Sequence, residues 1–105
     1  MQRGEVWWAN IALPGGRRPV VLVTRDAAYE LRTSVTVVPI TRTIRRIPTE
    51  VPLGVEDGMP EKCIANADDV MTITKSTLTS RITILSIEKM QEVAKAVIFA
   101  LDLEI

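Results

Sequence analysis

The segment GGRRPVVLVTRDAAYELRTSVTVVPIT, residues 15–41, decides how this chain folds. It contains two short apolar runs, RPVVLVT (18–24) and SVTVVPIT (34–41), joined by the polar link DAAYELRT (26–33). Continuous β-branched runs of this length, bounded by turn-forming residues, read as strands buried on both faces. Pro19 has no N–H to donate and belongs at the start of the first strand, whereas Pro39 predicts an edge or a bulge near the end of the second. Folded back as neighbours, the two strands bring Arg17 and Arg18 towards Thr41. Cations beside a hydroxyl form a corner suited to a phosphodiester.

Outward from this pair, RGEVWWANI (3–11) reads as a first strand, with Val6 and Trp8 on one face and Glu5, Trp7 and Ala9 on the other. LPGG (13–16) is a turn, Arg42–Ile47 a basic loop, and TEVPL (49–53) an exposed, alternating strand. GVEDGMP (54–60) is a loop, 62–66 and 69–74 are a final pair of short strands, and KSTLTSR (75–81) is a turn. The end differs in kind. In SIEKMQEVAKAVIFALDL (86–103) the residues Ile87, Met90, Val93, Ala94, Val97, Ile98 and Leu101 form a helical stripe, with Ser86 as N-cap. The expected fold is therefore mainly β with a C-terminal α-helix, one small barrel covered by that helix.

A chain of 105 residues supports one hydrophobic core and one domain, 1–105. The net charge of zero hides an asymmetry: residues 13–53 are net +4 and residues 54–105 net −4. There is no bulk attraction to a polyanion, but a local cationic patch can still grip phosphates. Cys63 is the only cysteine, which excludes an intrachain disulfide and suits a reducing cytoplasm. No apolar stretch approaches the ~20 residues of a membrane span, and the charged, tryptophan-bearing start is unlike a signal peptide. With no histidine, imidazole catalysis and imidazole metal ligation are both excluded. No cysteine cluster, carboxylate set or glycine-rich nucleotide loop is present, so no metal or cofactor is expected.

Arg18 is held between the Gly15–Gly16 turn and Pro19, and a guanidinium placed there binds phosphate and stabilises a pentavalent transition state. A hydroxyl on Thr41 donates to a phosphate oxygen or orients an RNA 2′-OH. Gly16 lets backbone approach closely, while Arg17, Arg42, Thr43, Arg45 and Arg46 suit backbone phosphates. Asn66, Asp68 and Asp69 cluster in a second loop, where carboxylates accept from base amino groups or simply make Asx turns.

The blocks RGEVWWAN (3–10), GGRRPVVLVT (15–24), TVVPIT (36–41) and LTSRI (78–82), in this order, resemble the MazF/PemK family of bacterial toxin endoribonucleases over essentially the whole chain. The resemblance implies an SH3-like barrel acting as a homodimer. It also implies metal-independent cleavage of single-stranded RNA by the substrate's own 2′-OH, and a cognate antitoxin partner. The family's catalytic Arg and Thr fall on Arg18 and Thr41. Arg18 would stabilise phosphate charge and protonate the departing 5′-oxygen, with the general base left open. Here the loop after the first strand is shorter than is common in the family, and Arg17, Asp68 or Asp69 would compensate. Two other readings stay open: a toxin of the same barrel type that poisons gyrase, and a non-catalytic SH3-like module that binds nucleic acid. The first places its decisive residues at a C-terminal Trp-Gly-Ile, whereas this chain ends LDLEI.

Overall fold

The computed structural model describes residues 1–11 and 16–104; the expected turn at 13–16 lies, apart from Gly16, outside them. Seven strands and one helix follow in order: β1 Glu5–Asn10, β2 Arg17–Leu22, β3 Ser34–Thr41, β4 Glu50–Leu53, β5 Cys63–Asn66, β6 Met71–Thr74, β7 Leu78–Ile84 and α1 Ile87–Ala100. The pairing is antiparallel throughout, in the order β4-β5-β3-β2-β1-β7, with β6 also paired to β3. The expected mainly-β fold with a C-terminal helix is what forms.

β3 is the hub. One edge pairs with β2, and the other pairs first with β6 over residues 34–37 and then with β5 at 40 and 41. Pro39 therefore marks neither an edge strand nor a bulge. Thr36 points its N–H and C=O towards the β2 side, where they meet Thr24 Oγ1 at 2.7 Å and the Val23 N–H at 3.0 Å. Because these groups alternate along a strand, the missing N–H of Pro39 faces the opposite edge, where β3 changes partner from β6 to β5. No ladder bond is lost there.

The alternation of side chains gives the sheet two apolar faces. Val6, Val21, Val38 and Ile40 face Val51, Leu53 and Ala65 and are closed over by Val93 and Ala96 of α1. Ala9, Val20, Leu22, Val35 and Val37 face the other way and pack with Tyr29. Both tryptophans, on opposite faces of β1, are half-buried.

Several sequence expectations are corrected by this packing. β4 is buried at Glu50, Val51 and Leu53 because α1 lies over it, so only Pro52 is exposed. The strands β5 and β6 do not pair with each other; each takes a separate stretch of β3. Residues 78–81, expected as a turn, begin β7, which pairs with β1 across two register shifts. Ser86 caps α1 by accepting from the Lys89 N–H at 3.0 Å, as expected. The buried stripe is rotated, however. Val93 and Ala96 are buried with Met90, Val97 and Ala100 against the core, while Ile87 is 76% exposed and Leu101 50% exposed. The small side chains at 96 and 100 suit a close approach of helix to sheet. No helix among the described residues is long and apolar enough to cross a membrane.

Candidate RNA-cleavage site

The register of β2 and β3 sets the geometry. Val20 lies opposite Pro39, Val21 opposite Val38 and Leu22 opposite Val37. Continued by two residues, the same register puts Arg18 directly across from Thr41. The two side chains emerge on one face, where the ends of β1, β2 and β3 meet.

Two clefts open at this corner, and Arg18 is a wall of both. The first, of about 510 Å3, is lined by Trp8, Arg17, Arg18, Thr41, Arg42 and Thr43, with Met59, Pro60, Glu61 and Cys63 opposite. The second, of about 470 Å3, has Gly16, Asp68 and Asp69 among its walls, with Pro39 and Met71 at its base. The first cleft thus carries Arg17, Arg42 and the hydroxyls with one carboxylate, Glu61, and the second carries Asp68 and Asp69, with Arg18 between them.

Within the first cleft each group is held differently. Arg17 lies over the Trp8 ring, 4.5 Å from its centroid, and its Nη2 is 3.4 Å from Ser80 Oγ. That contact contributes about 0.5–1 kcal/mol at an exposed site and keeps the guanidinium flat against the cleft wall. Arg18 has no hydrogen-bond or ion-pair partner among the described residues, so its donors are available to a ligand. Thr41 Oγ1 accepts from the Thr43 N–H at 3.3 Å, which leaves its own O–H free to donate. Arg42 Nε is 3.6 Å from Glu61 Oε1 with both side chains exposed. Such a pair is worth little, and a phosphate can displace it.

The remaining expected residues do not all reach the clefts. Arg45 and Arg46 are exposed beyond Arg42 and line neither cleft. Asn66 is buried; its Oδ1 accepts from the Asp68 N–H at 3.0 Å and its Nδ2 donates to Asp69 Oδ2 at 3.0 Å. Asp68 Oδ2 accepts from Thr49 Oγ1 at 2.7 Å. The Asp69 carboxylate is thus held by Asn66 and that of Asp68 by Thr49, and Asn66 itself lines neither cleft.

Trp8, Met59, Pro60 and Glu61 are among the cleft residues that sequence reasoning missed. The signal for Trp8 lay in the WW pair, since its neighbour across the β1–β2 ladder is Pro19, next to Arg18. Cys63 also lines the first cleft. Burial, then the nearby charges of Glu61 and Asp57, push its thiol up to about 11. The thiolate is therefore scarce at neutral pH, and Cys63 is no nucleophile. At pH 8 it is expected to react with iodoacetamide roughly 100-fold more slowly than a cysteine of ordinary pKa, a rate measurable by mass spectrometry. The same shift makes folding stability fall as pH rises through about 9 to 11, because the unfolded chain releases the thiol proton first.

No group of three or more Cys, Asp or Glu side chains converges as a metal set among the described residues. Known proteins show close likenesses. The chain is 41% identical over 93 residues to the probable endoribonuclease MazF2 of Mycobacterium tuberculosis, covering 88% of this chain and 89% of that one. Its fold superposes on the Mycobacterium tuberculosis toxin MazF-mt6 with a TM-score of 0.88 and 31% identity, over 96% of this chain and 99% of that chain. A mycobacterial endoribonuclease solved in complex with its cognate antitoxin superposes with a TM-score of 0.89 and 28% identity, over 100% and 98% of the two chains. Residues 2–101 match the family described as PemK-like, MazF-like toxin of type II toxin-antitoxin system, and the chain belongs to that family.

Proposed function

We propose that this toxin is a sequence-selective endoribonuclease acting on single-stranded or loop RNA, without a metal, at the Arg18–Thr41 corner. The observation that carries the reading is that Arg18, without a polar partner among the described residues, lines one cleft together with Thr41 and also walls the neighbouring cleft of Asp68 and Asp69. In the reaction the substrate's 2′-OH loses its proton and attacks the adjacent phosphorus. The bond from phosphorus to the 5′-oxygen breaks, and that oxygen takes up a proton. The ends are a 2′,3′-cyclic phosphate and a 5′-OH. RNA brings its own nucleophile, so the protein only aligns groups and stabilises charge. Arg18 is protonated at rest, neutralises the phosphorane and passes a proton to the departing oxygen, regaining one from solvent afterwards. Thr41 binds and orients the scissile phosphate. Arg17, Arg42 and Thr43 hold flanking phosphates, Arg45 and Arg46 extend that track, and Asp68 and Asp69 accept from base amino groups beside Gly16.

The acidic antitoxin of such a system is expected to compete for the same cations. The large apolar side chains left exposed at Ile84, Ile87, Phe99 and Leu101 support a homodimer. A lone buried thiol suits the cytoplasm.

The test uses purified protein, defined folded and unfolded RNAs, EDTA throughout, and mapping of both product ends. Cyclic phosphate and 5′-OH ends are expected, with kcat lowered about 10- to 100-fold by Thr41→Ala. Intact RNA across a broad panel overturns the reading, and loss of cleavage in EDTA overturns its metal independence.

A further inference from the structure

The basic loop between β3 and β4 has no strand ladder of its own, yet its backbone is anchored from the interior. Glu50, only 9% exposed, accepts with Oε1 from the Arg45 N–H at 2.8 Å and from the Arg46 N–H at 3.0 Å. The Glu50 N–H in turn donates to the Ile47 carbonyl at 3.0 Å, closing the turn. Arg46 sits at φ +59°, in the left-handed region that a residue with a side chain enters only when something compensates. Two N–H groups converging on one carboxylate supply that compensation.

We propose that Glu50 is the positioning residue of the arginine loop, fixing the backbone at 45–46 so that the guanidiniums of Arg42, Arg45 and Arg46 face the phosphates of bound RNA. The loop's task rests on the ribonuclease reading; the clamp itself does not. The neighbouring residue extends the arrangement. Thr49 accepts from the Ala67 N–H at 2.9 Å with its carbonyl and donates its hydroxyl to Asp68 at 2.7 Å. Two adjacent buried polar residues therefore tie the cationic loop and the acidic loop to the start of one strand. Glu50 and Asn66 lie opposite each other in the β4–β5 register, which sets the spacing of the two loops.

Electrostatics separates this role from a trivial one. A carboxylate beside three arginines lowers the local positive charge, so if charge alone mattered, removing it would tighten RNA binding. Charge alone predicts tighter binding when the carboxylate is neutralised and no change when it is shortened, whereas position predicts no change in the first case and weaker binding in the second. Glu50→Gln keeps the acceptor oxygen and removes the charge. Glu50→Asp keeps the charge and shortens the reach by one methylene.

The experiment compares both variants with wild type in the full chain by amide hydrogen exchange at 45 and 46, by KM and kcat for RNA cleavage, and by the salt dependence of RNA affinity in an Arg18→Ala background. Glu50→Asp is expected to speed exchange at both amides at least tenfold and raise KM about five- to tenfold, with kcat within twofold. Its slope of log affinity against log salt flattens, because fewer phosphates are neutralised. Glu50→Gln stays within about threefold of wild type in KM and exchange. Tighter binding by Glu50→Gln, freed amides without a change in KM, or a fall in kcat at constant KM each overturns the proposal. If wild type cuts no RNA, the ribonuclease reading fails by itself, and the clamp is then judged on amide exchange and the salt slope of single-stranded RNA binding.

Discussion

Replacing Arg18 by alanine is expected to lower kcat/KM by about three orders of magnitude while leaving the fold intact. Loss of a single donor aimed at developing charge in a shielded site costs about 10²- to 10³-fold in other enzymes, and Arg18 combines such donors with a full positive charge. The loss should fall mainly on kcat. Arg17 and Arg42 stand in the same cleft and, in the proposed role, would still hold the flanking phosphates, so KM is expected to move less. Arg18→Lys should recover little, because an ammonium cannot present the planar fork that spans two phosphate oxygens. Stability is expected to change by less than about 0.5 kcal/mol, because the side chain is not fully buried and has no polar partner among the described residues. Initial rates on a single-site RNA, together with thermal melting, check both halves. Activity of Arg18→Ala within tenfold of wild type would remove the proposed centre.

The largest stability effect is expected at Leu22. Its side chain is fully buried within the face that carries Val35, Val37 and Tyr29, and its carbonyl accepts from the Gly4 N–H at 2.8 Å. Leu22→Ala leaves a cavity that two flanking strands cannot collapse, at a cost of about 3 kcal/mol. For a domain whose total stability lies near 5–15 kcal/mol, this lowers Tm by roughly 15 °C. Leu31→Ala is the matched control, because that side chain is 83% exposed and its loss should move the urea midpoint negligibly. Equal midpoints for the two variants would contradict the assignment of the core.

The parts legible in the sequence were those with strong periodicity. β3 has the boundaries Ser34–Thr41 read from SVTVVPIT, and α1 begins one residue after its expected cap. That Arg18 and Thr41 line one cleft was legible too, since their strands β2 and β3 pair in antiparallel register. β7 was not. LTSRITI carries Thr79, Ser80 and Arg81 in its middle because it pairs on one side only, with β1, and leaves those residues exposed. The burial of β4 was hidden as well, because α1, which covers it, is separated from it by more than thirty residues. Glu50 is the instructive case at the site. As one acid after a run of arginines it reads as a counter-charge on the surface, and only the β4–β5 pairing places it inside.

The arrangement of the two apolar faces also bears on when the toxin becomes competent during synthesis. Val6 shares one buried cluster with Val93 and Ala96, which are made much later, and β1 lacks its outer partner until β7 exists. Contacts of such long sequence separation cannot form while the later residues are unmade or still inside the ribosome. The Arg18–Thr41 corner is encoded in the first two fifths of the chain, yet the sheet beneath it is secured only when the last strand and helix emerge. A chain released before β7 and α1 are made would carry the two proposed catalytic side chains without the scaffold that aligns them, and is expected to be inert.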